Sequence, residues 1–260
     1  MSNYIKTFLG ILAALCIKFV NFVKEISIIL QKTIAADENM QKRIYSGGVF
    51  GLIFVICILV GGIAFNCLML LLTLVAYHEW LEIISILKNN VKKYQTWLFM
   101  GVAYIGIPVA CLVTISGYTK GSSIIFWYFC VIWATDCGAY FVGKRFGGRK
   151  LAPKISPGKT LSGAIGGLIS GIVVGVFMYF TLIKTPFNIG IFNAGVAALF
   201  ISIFAQMSDL LESYIKRKFN IKDSGNIIPG HGGIMDRMDS ITLSAPFLFI
   251  ILNNVGAQYF

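Results

Sequence analysis

The chain has 260 residues, of which 57% are hydrophobic and only 13% charged. A soluble globular domain carries roughly 25% charged residues, so a water-soluble fold does not fit, and the same apolar excess rules out disorder. Lys and Arg number 22 against 11 Asp and Glu, a net charge of +11; whether this signals nucleic acid, anionic lipid or membrane topology depends on where the charges fall.

The composition predicts an all-α, polytopic transmembrane helical bundle of seven to eight spans, because β-barrel strands alternate and give no long apolar runs. Residues 1–43 form an N-terminal amphipathic or membrane-associated segment, whose stretch 7–30 is interrupted by Lys18, Lys24 and Glu25 and either spans or lies in the interface. Residues 44–260 form the transmembrane domain. Its apolar segments run at about 44–61, 63–81, 97–115, 122–142, 161–183, 191–207 and 241–258, the first two hinged at Gly61-Gly62. The six cysteines lie in or beside apolar stretches without a C-x-x-C pair and read as small hydrophobes.

Basic residues alternate between the connections. Lys32, Lys42 and Arg43 precede the first span, and Lys88, Lys92 and Lys93 lie in 82–96. Six more lie in 143–160, and Lys216, Arg217, Lys218, Lys222 and Arg237 in 208–240. The intervening turns hold only Lys120 and Lys184. The positive-inside rule places the rich loops in the cytoplasm and Phe260 outside. Topology thereby explains much of the charge, and no nucleic-acid partner is required.

The acids collect in one place. Asp209, Glu212, Asp223, Asp236 and Asp239 fall between 209 and 239, and Asp136 sits inside an apolar span, where an ionisable group is expensive. If the helix of 191–207 continues, Asp209, Ser213 and Lys216 stack on one face. Pro229, Gly230, Gly232 and Gly233 bracket His231, a pattern that can form a backbone anion nest. Asp236 and Asp239 follow at i, i+3 spacing. Paired hard oxygens suit Mg²⁺, which favours one or two carboxylates plus substrate phosphates, and Arg237 and His231 are natural phosphate donors. Gly158-Lys159-Thr160 ends like a Walker A loop, but Pro153 stands where its first glycine belongs, so no P-loop is present. His78-Glu79 lacks the second histidine of H-E-x-x-H; neither is assigned a catalytic role, and Trp80 beside them reads as an interface anchor.

The run from Ser213 to Asp239 resembles the signature of the phosphatidate cytidylyltransferases (CDP-diglyceride synthases). Ser213, Lys216, Arg217, Lys222, Asp223, His231, Gly232, Gly233, Asp236, Arg237 and Asp239 fill its fixed positions without a gap. The resemblance extends upstream through Asp136-Cys-Gly-Ala-Tyr and the run Lys150–Thr160, while the first 95 residues match only in hydropathy. Ser162 and Ser208 stand where many members have Glu and Gly.

The resemblance implies a membrane enzyme that transfers CMP from CTP to phosphatidate, yielding CDP-diacylglycerol and pyrophosphate. It implies Mg²⁺, with a second, monovalent cation left open, membrane-lipid partners, a homodimer and a location in the cell (inner or plasma) membrane. Asp209 and Asp236, with Asp136, are the expected metal ligands. Asp209, Asp236, Asp239, Lys216 and His231 form the catalytic set. Lys150, Lys159, Ser213, Arg217, Lys222, Asp223 and Arg237 are expected to bind substrate, Lys159 and Lys150 taking the lipid phosphate. The competing readings are a CTP-dependent lipid kinase and a secondary transporter for an anionic solute. A transporter places its site between repeats at the bilayer midplane, whereas this chain shows no repeat.

Overall fold

The computed structural model describes residues 38–180, 190–225 and 232–256, the side chains of 38–46 and 255–256 excepted. The stretch 7–30, the residues Lys184 and His231, and Phe260 lie outside them. Helices α1 (Glu38–Val60), α2 (Gly62–Ile84), α3 (Val91–Ser116), α4 (Gly121–Phe146), α5 (Leu161–Met178), α6 (Gly190–Lys218), the one-turn α7 (Met235–Met238) and α8 (Ile241–Gly256) make up the bundle. Five stretches among the described residues are long and apolar enough to cross a bilayer: 62–87, 91–116, 121–146, 161–178 and 190–218. The expected segment at 44–61 lies in the 23-residue α1, of which Gly47–Val60 is apolar, and the segment expected at 241–258 begins with the 16-residue α8.

Local chemistry sets the boundaries. The Asn90 side chain caps α3 by accepting from the Lys93 N–H, and Thr160 caps α5 by accepting from Gly163. The α1–α2 hinge falls at Gly61 and Gly62 with φ of 67° and 48°, a region that costs only glycine little. α6 continues well past residue 207 to Lys218, so Asp209, Ser213 and Lys216 do share one helix.

The expectation of an all-helical chain needs one correction. The basic loop 143–160 contains an antiparallel hairpin, β1 (Lys150–Ala152) and β2 (Ser156–Thr160), with Lys150 opposite Thr160 and Ala152 opposite Ser156. Polar, proline-containing sequence outside the apolar spans lacks the 3.6-residue periodicity a helix would need, and a short extended ribbon satisfies its backbone instead.

The scaffold of the site is the α4–α5–α6 layer. Gly163, Gly167, Gly171 and Gly175 form a stripe one turn apart along α5. A Cβ on Gly167 would lie 2.8 Å from the Thr135 carbonyl, and one on Gly175 2.5 Å from the Ala198 Cβ, so only glycine lets these backbones meet. The close approach brings polar groups together in an apolar medium. Trp127 Nε1 donates to the Gly175 carbonyl at 2.8 Å, Thr135 Oγ1 to Ser202 Oγ at 2.8 Å, and Gln206 Nε2 to the Ala164 carbonyl at 3.3 Å. Thr135 directly precedes Asp136, and Gln206 lies three residues before Asp209 on α6, so the same packing fixes where those carboxylates emerge.

The basic segments 82–96, 143–160 and 208–240 gather at one end of the bundle. The Trp97 ring meets Phe219 edge-on at 4.9 Å and lies 4.8 Å beneath the Lys218 ammonium. Arg217 reaches from α6 to the Ile155 carbonyl of the hairpin. Trp80 is not the interface anchor its position suggests: it is fully buried, stacks on Tyr104 and donates Nε1 to the Trp97 carbonyl at 2.9 Å. Gly101 leaves the space its indole occupies.

Candidate active site

A cavity of about 690 Å³ opens at this polar end between α1, α4, the hairpin, α6 and the α7–α8 turn. One wall is apolar and aromatic, with Phe50 and Phe54 from α1 facing Phe129 and Trp133 from α4. The other is ionic: Asp136 from α4, Lys159 from β2, Asp209 from α6, and Asp236, Arg237 and Asp239 from the turn. Residues some hundred positions apart in sequence converge on one space.

Of the four carboxylates on the ionic wall, three are short of donors. Asp209 is ion-paired with Lys159. Asp239 accepts from Ser240 Oγ at 3.2 Å, and its own carbonyl accepts from Ser208 Oγ at 2.5 Å. Burial, then the nearby Asp209 charge, push the Asp239 carboxyl up to about 6, against partial relief from Lys216 and Lys159. Asp136 faces the same space, near enough for Asp239, Asp209 and Lys159 all to act on it electrostatically. A cluster of acids with so few donors attracts a cation.

Asp236 is different. Its Oδ1 accepts from Lys216 Nζ at 2.6 Å, and its Oδ2 accepts from the N–H groups of Ser224 and Gly233, each at 2.9 Å, and from Ser224 Oγ at 3.0 Å. Burial alone would raise this carboxyl, but those donors prevail and hold it below the usual range. Lys216 also pairs with the buried Glu212 at 3.0 Å and does not line the cavity. Lys216 and Asp236 thus brace each other.

The backbone nest expected around His231 is also revised within the described residues. The Gly233 N–H is taken by Asp236, and those of Ile234 and Met235 donate to Glu79 at 2.8 and 2.9 Å. Carboxylates of the protein itself already fill the role an incoming anion would play. His231, Pro229 and Gly230 lie outside the described residues.

Other expected site residues lie off the cavity wall. Lys150 is exposed on β1 and does not line the cavity, so of the two lysines expected at the lipid phosphate only Lys159 reaches it. Arg217 is engaged with the Ile155 and Ile221 carbonyls, fastening the hairpin and the end of α6. Ser213 is half-buried, and Lys222 and Asp223 are exposed just past α6, none of them on the cavity wall. The two departures from the family pattern have structural partners. Ser162 Oγ donates to the Gly147 carbonyl at 2.5 Å and meets Thr160 Oγ1 at 3.1 Å, while Ser208 Oγ accepts from the Leu243 N–H at 3.3 Å.

Two acids visible in the sequence were assigned no role there. Glu79 and Glu212 are 0% and 1% exposed, and both reach the network around Lys216 and Asp236. Their signal was present, since each interrupts an otherwise apolar helix, but a single acid near a helix end does not disclose which loop it meets.

Profile comparison matches residues 85–255 to the cytidylyltransferase family, a stretch that carries every residue of the ionic wall. The chain belongs to this family. It is 41% identical over 216 residues to the phosphatidate cytidylyltransferase of Rickettsia bellii, covering 82% of this chain and 90% of that one. The Rickettsia prowazekii enzyme of the same name is 42% identical over 219 residues, with 82% and 92% covered. That of Brucella suis is 32% identical over 254 residues, with 82% and 93% covered. The matched family region begins at residue 85, so the cavity's α1 wall precedes it.

Proposed function

We propose that this chain transfers the cytidylyl group of CTP to phosphatidate, forming CDP-diacylglycerol and releasing pyrophosphate. The observation that carries the reading is one cavity with an aromatic wall on one side and an ionic wall on the other. A substrate that joins acyl chains to a phosphate, meeting a polar triphosphate, needs that division.

The reaction requires little covalent help from protein. A phosphatidate oxygen attacks the α-phosphorus of CTP, the new P–O bond forms, and the bond to the β-phosphate oxygen breaks with its electron pair leaving on pyrophosphate. The protein's task is positioning and charge neutralisation. Lys159 and Arg237 stand on the ionic wall, where they hold phosphate oxygens. The aromatic wall keeps the lipid's glycerol end against α1 and α4 and limits water at the reacting phosphate. His231, from the signature, is assigned to the triphosphate.

Among the described residues no three His, Cys, Asp or Glu side chains stand close enough to hold a metal ion unaided. That fits Mg²⁺, which keeps waters and is completed by substrate phosphates in place of an all-protein cage. Asp136, Asp209 and Asp239 are the residues that would hold it, with Asp236 bracing Lys216 and the turn. Bound Mg²⁺ supplies charge neutralisation on the triphosphate and its leaving group.

The gathering of the basic loops at the cavity's end supports an active site facing the cytoplasm, with the bundle in the cell membrane. A homodimer and a monovalent cation belong to the same proposal and rest on the family resemblance. The test is an assay with phosphatidate, Mg²⁺ and CTP labelled separately at cytosine and at the γ-phosphate. Cytosine label in the lipid phase supports cytidylyl transfer; γ-label there makes the protein a lipid kinase. No lipid-soluble label from intact protein returns it to transport.

A further inference from the structure

Glu79 sits on α2, fully buried, more than 140 residues from the segment it touches. Its Oε2 accepts from Ser224 Oγ at 3.0 Å and from the Met235 N–H at 2.9 Å, and its Oε1 accepts from the Ile234 N–H at 2.8 Å. These donors lie on both flanks of 226–231 and lead directly into the turn that carries Asp236, Arg237 and Asp239. The neighbouring glycines are cut to fit this carboxylate. A Cβ on Gly225 would fall 2.9 Å from Glu79 Oε1, and one on Gly233 would overlap both Glu79 oxygens. Asp236 completes the clamp from the other side through Ser224 and Gly233.

Burying a carboxylate among apolar helices costs several kcal/mol unless every lone pair finds a donor. A bundle that needed only stability would fill this place with leucine. We propose that Glu79 is a positioning residue for the active site: its carboxylate fastens the Ser224–Met235 segment to α2 and thereby sets Arg237 and Asp239 on the cavity wall. It does not touch substrate, since it is absent from the cavity lining. The role rests on the cytidylyl-transfer reading for its catalytic consequence, but the fastening itself does not.

Each oxygen of Glu79 faces a backbone N–H, which can only donate, and this makes the test sharp. An amide at this position keeps the shape but sets its NH₂ against the backbone N–H of either Ile234 or Met235, neither of which can accept. The full-length protein in micelles is measured as wild type, Glu79→Gln, Glu79→Asp and Ser224→Ala. Two readouts are taken: kcat and KM for CTP and phosphatidate, and amide hydrogen exchange of peptides across 232–240. Glu79→Gln should lower kcat at least about 100-fold with KM for phosphatidate within about twofold. It should also speed exchange at Ile234 and Met235 at least about tenfold, leaving α4 and α5 peptides unchanged. Glu79→Asp, which keeps an acceptor on a shorter stem, should recover about tenfold of the lost kcat, and Ser224→Ala should cost about three- to tenfold. If Glu79→Gln does not yield folded protein, Ser224→Ala and Glu79→Asp carry the same two readouts, and wild-type exchange and kcat in both would refute the role. Unchanged exchange at 232–240 in Glu79→Gln, or equal losses in kcat and in global protection, would overturn it. Should the wild type transfer no label, the enzymatic reading falls while the exchange result still decides the fastening.

Discussion

Asp236 and Asp239 lie three residues apart on one turn, yet their surroundings are opposite. The oxygens of Asp236 accept from Lys216 and from two backbone N–H groups, and share the single Ser224 hydroxyl proton with Glu79. Asp239 accepts from one serine and stands in the charge of Asp209. The same division sorts the other acids: Glu79 is saturated with donors, whereas Asp136 and Asp209 face the cavity with Lys159 as their nearby cation. Where water is scarce, a carboxylate saturated with donors holds the fold together, and on the proposed function the under-supplied acids of the cavity are the ones that would hold a cation.

The comparison breaks first at the under-supplied side. Asp209→Asn should cut cytidylyl transfer by at least about 10³-fold, roughly 4 kcal/mol of barrier, with a melting temperature lowered less than in Asp236→Asn, because loss of the Lys159 pair is offset by relief of repulsion with Asp239 and Asp136. A loss below about tenfold would remove Asp209 from the cation site. On the saturated side the balance reverses. Asp236→Asn leaves Lys216 with Glu212 alone and turns an amide toward the N–H groups of Ser224 and Gly233; it should cost about 3–5 kcal/mol of stability, read as a lowered melting temperature, with activity falling through disorder of the turn. If Asp236→Asn melts like the wild type while activity vanishes, Asp236 is a metal ligand and the division drawn here is wrong.

Acid should sharpen the contrast, because the two groups respond with opposite sign. Asp239 binds its proton more tightly folded than unfolded, so without metal the protein gains stability as pH falls through about 6 toward the unfolded value of 3.8. Asp236 is shifted the other way, so its contribution is present above 3.8 and is lost as pH drops below. Metal-free melting temperature should therefore rise and then fall on acidification, while Mg²⁺-dependent activity declines through about pH 6 as protons compete at Asp239. A melting temperature that falls steadily from neutral pH would contradict the assignment of Asp239.

The smallest effect concerns the family departures. Ser162→Ala removes the hydroxyl shared by Gly147 and Thr160 and should cost about 1 kcal/mol of stability, with activity within about threefold. A larger activity loss would give Ser162 a part in substrate handling.

Much of this was legible in the linear chain because the responsible physics is local. Twenty-residue apolar runs, the Gly61-Gly62 hinge, the continuation of α6 and the signature from Ser213 to Asp239 are carried by neighbouring residues. The hairpin was not legible, since short extended ribbons in polar loops leave little periodicity. Nor was the burial of Trp80, which depends on the space left by Gly101 on another helix.

The sequence by itself determined a helical membrane protein of the cytidylyltransferase family and named the six charged residues that line its cavity. It placed Asp236 and Asp239 together because spacing cannot see hydrogen-bond partners. Only the tertiary structure separated them, by bringing Ser224, Gly233 and Lys216 to one and Asp209 to the other, and only it joined Glu79 to the turn across more than 140 residues. Donors and charges act through space over a few ångströms, and which groups come that close is settled by helix packing, here by a stripe of glycines along α5.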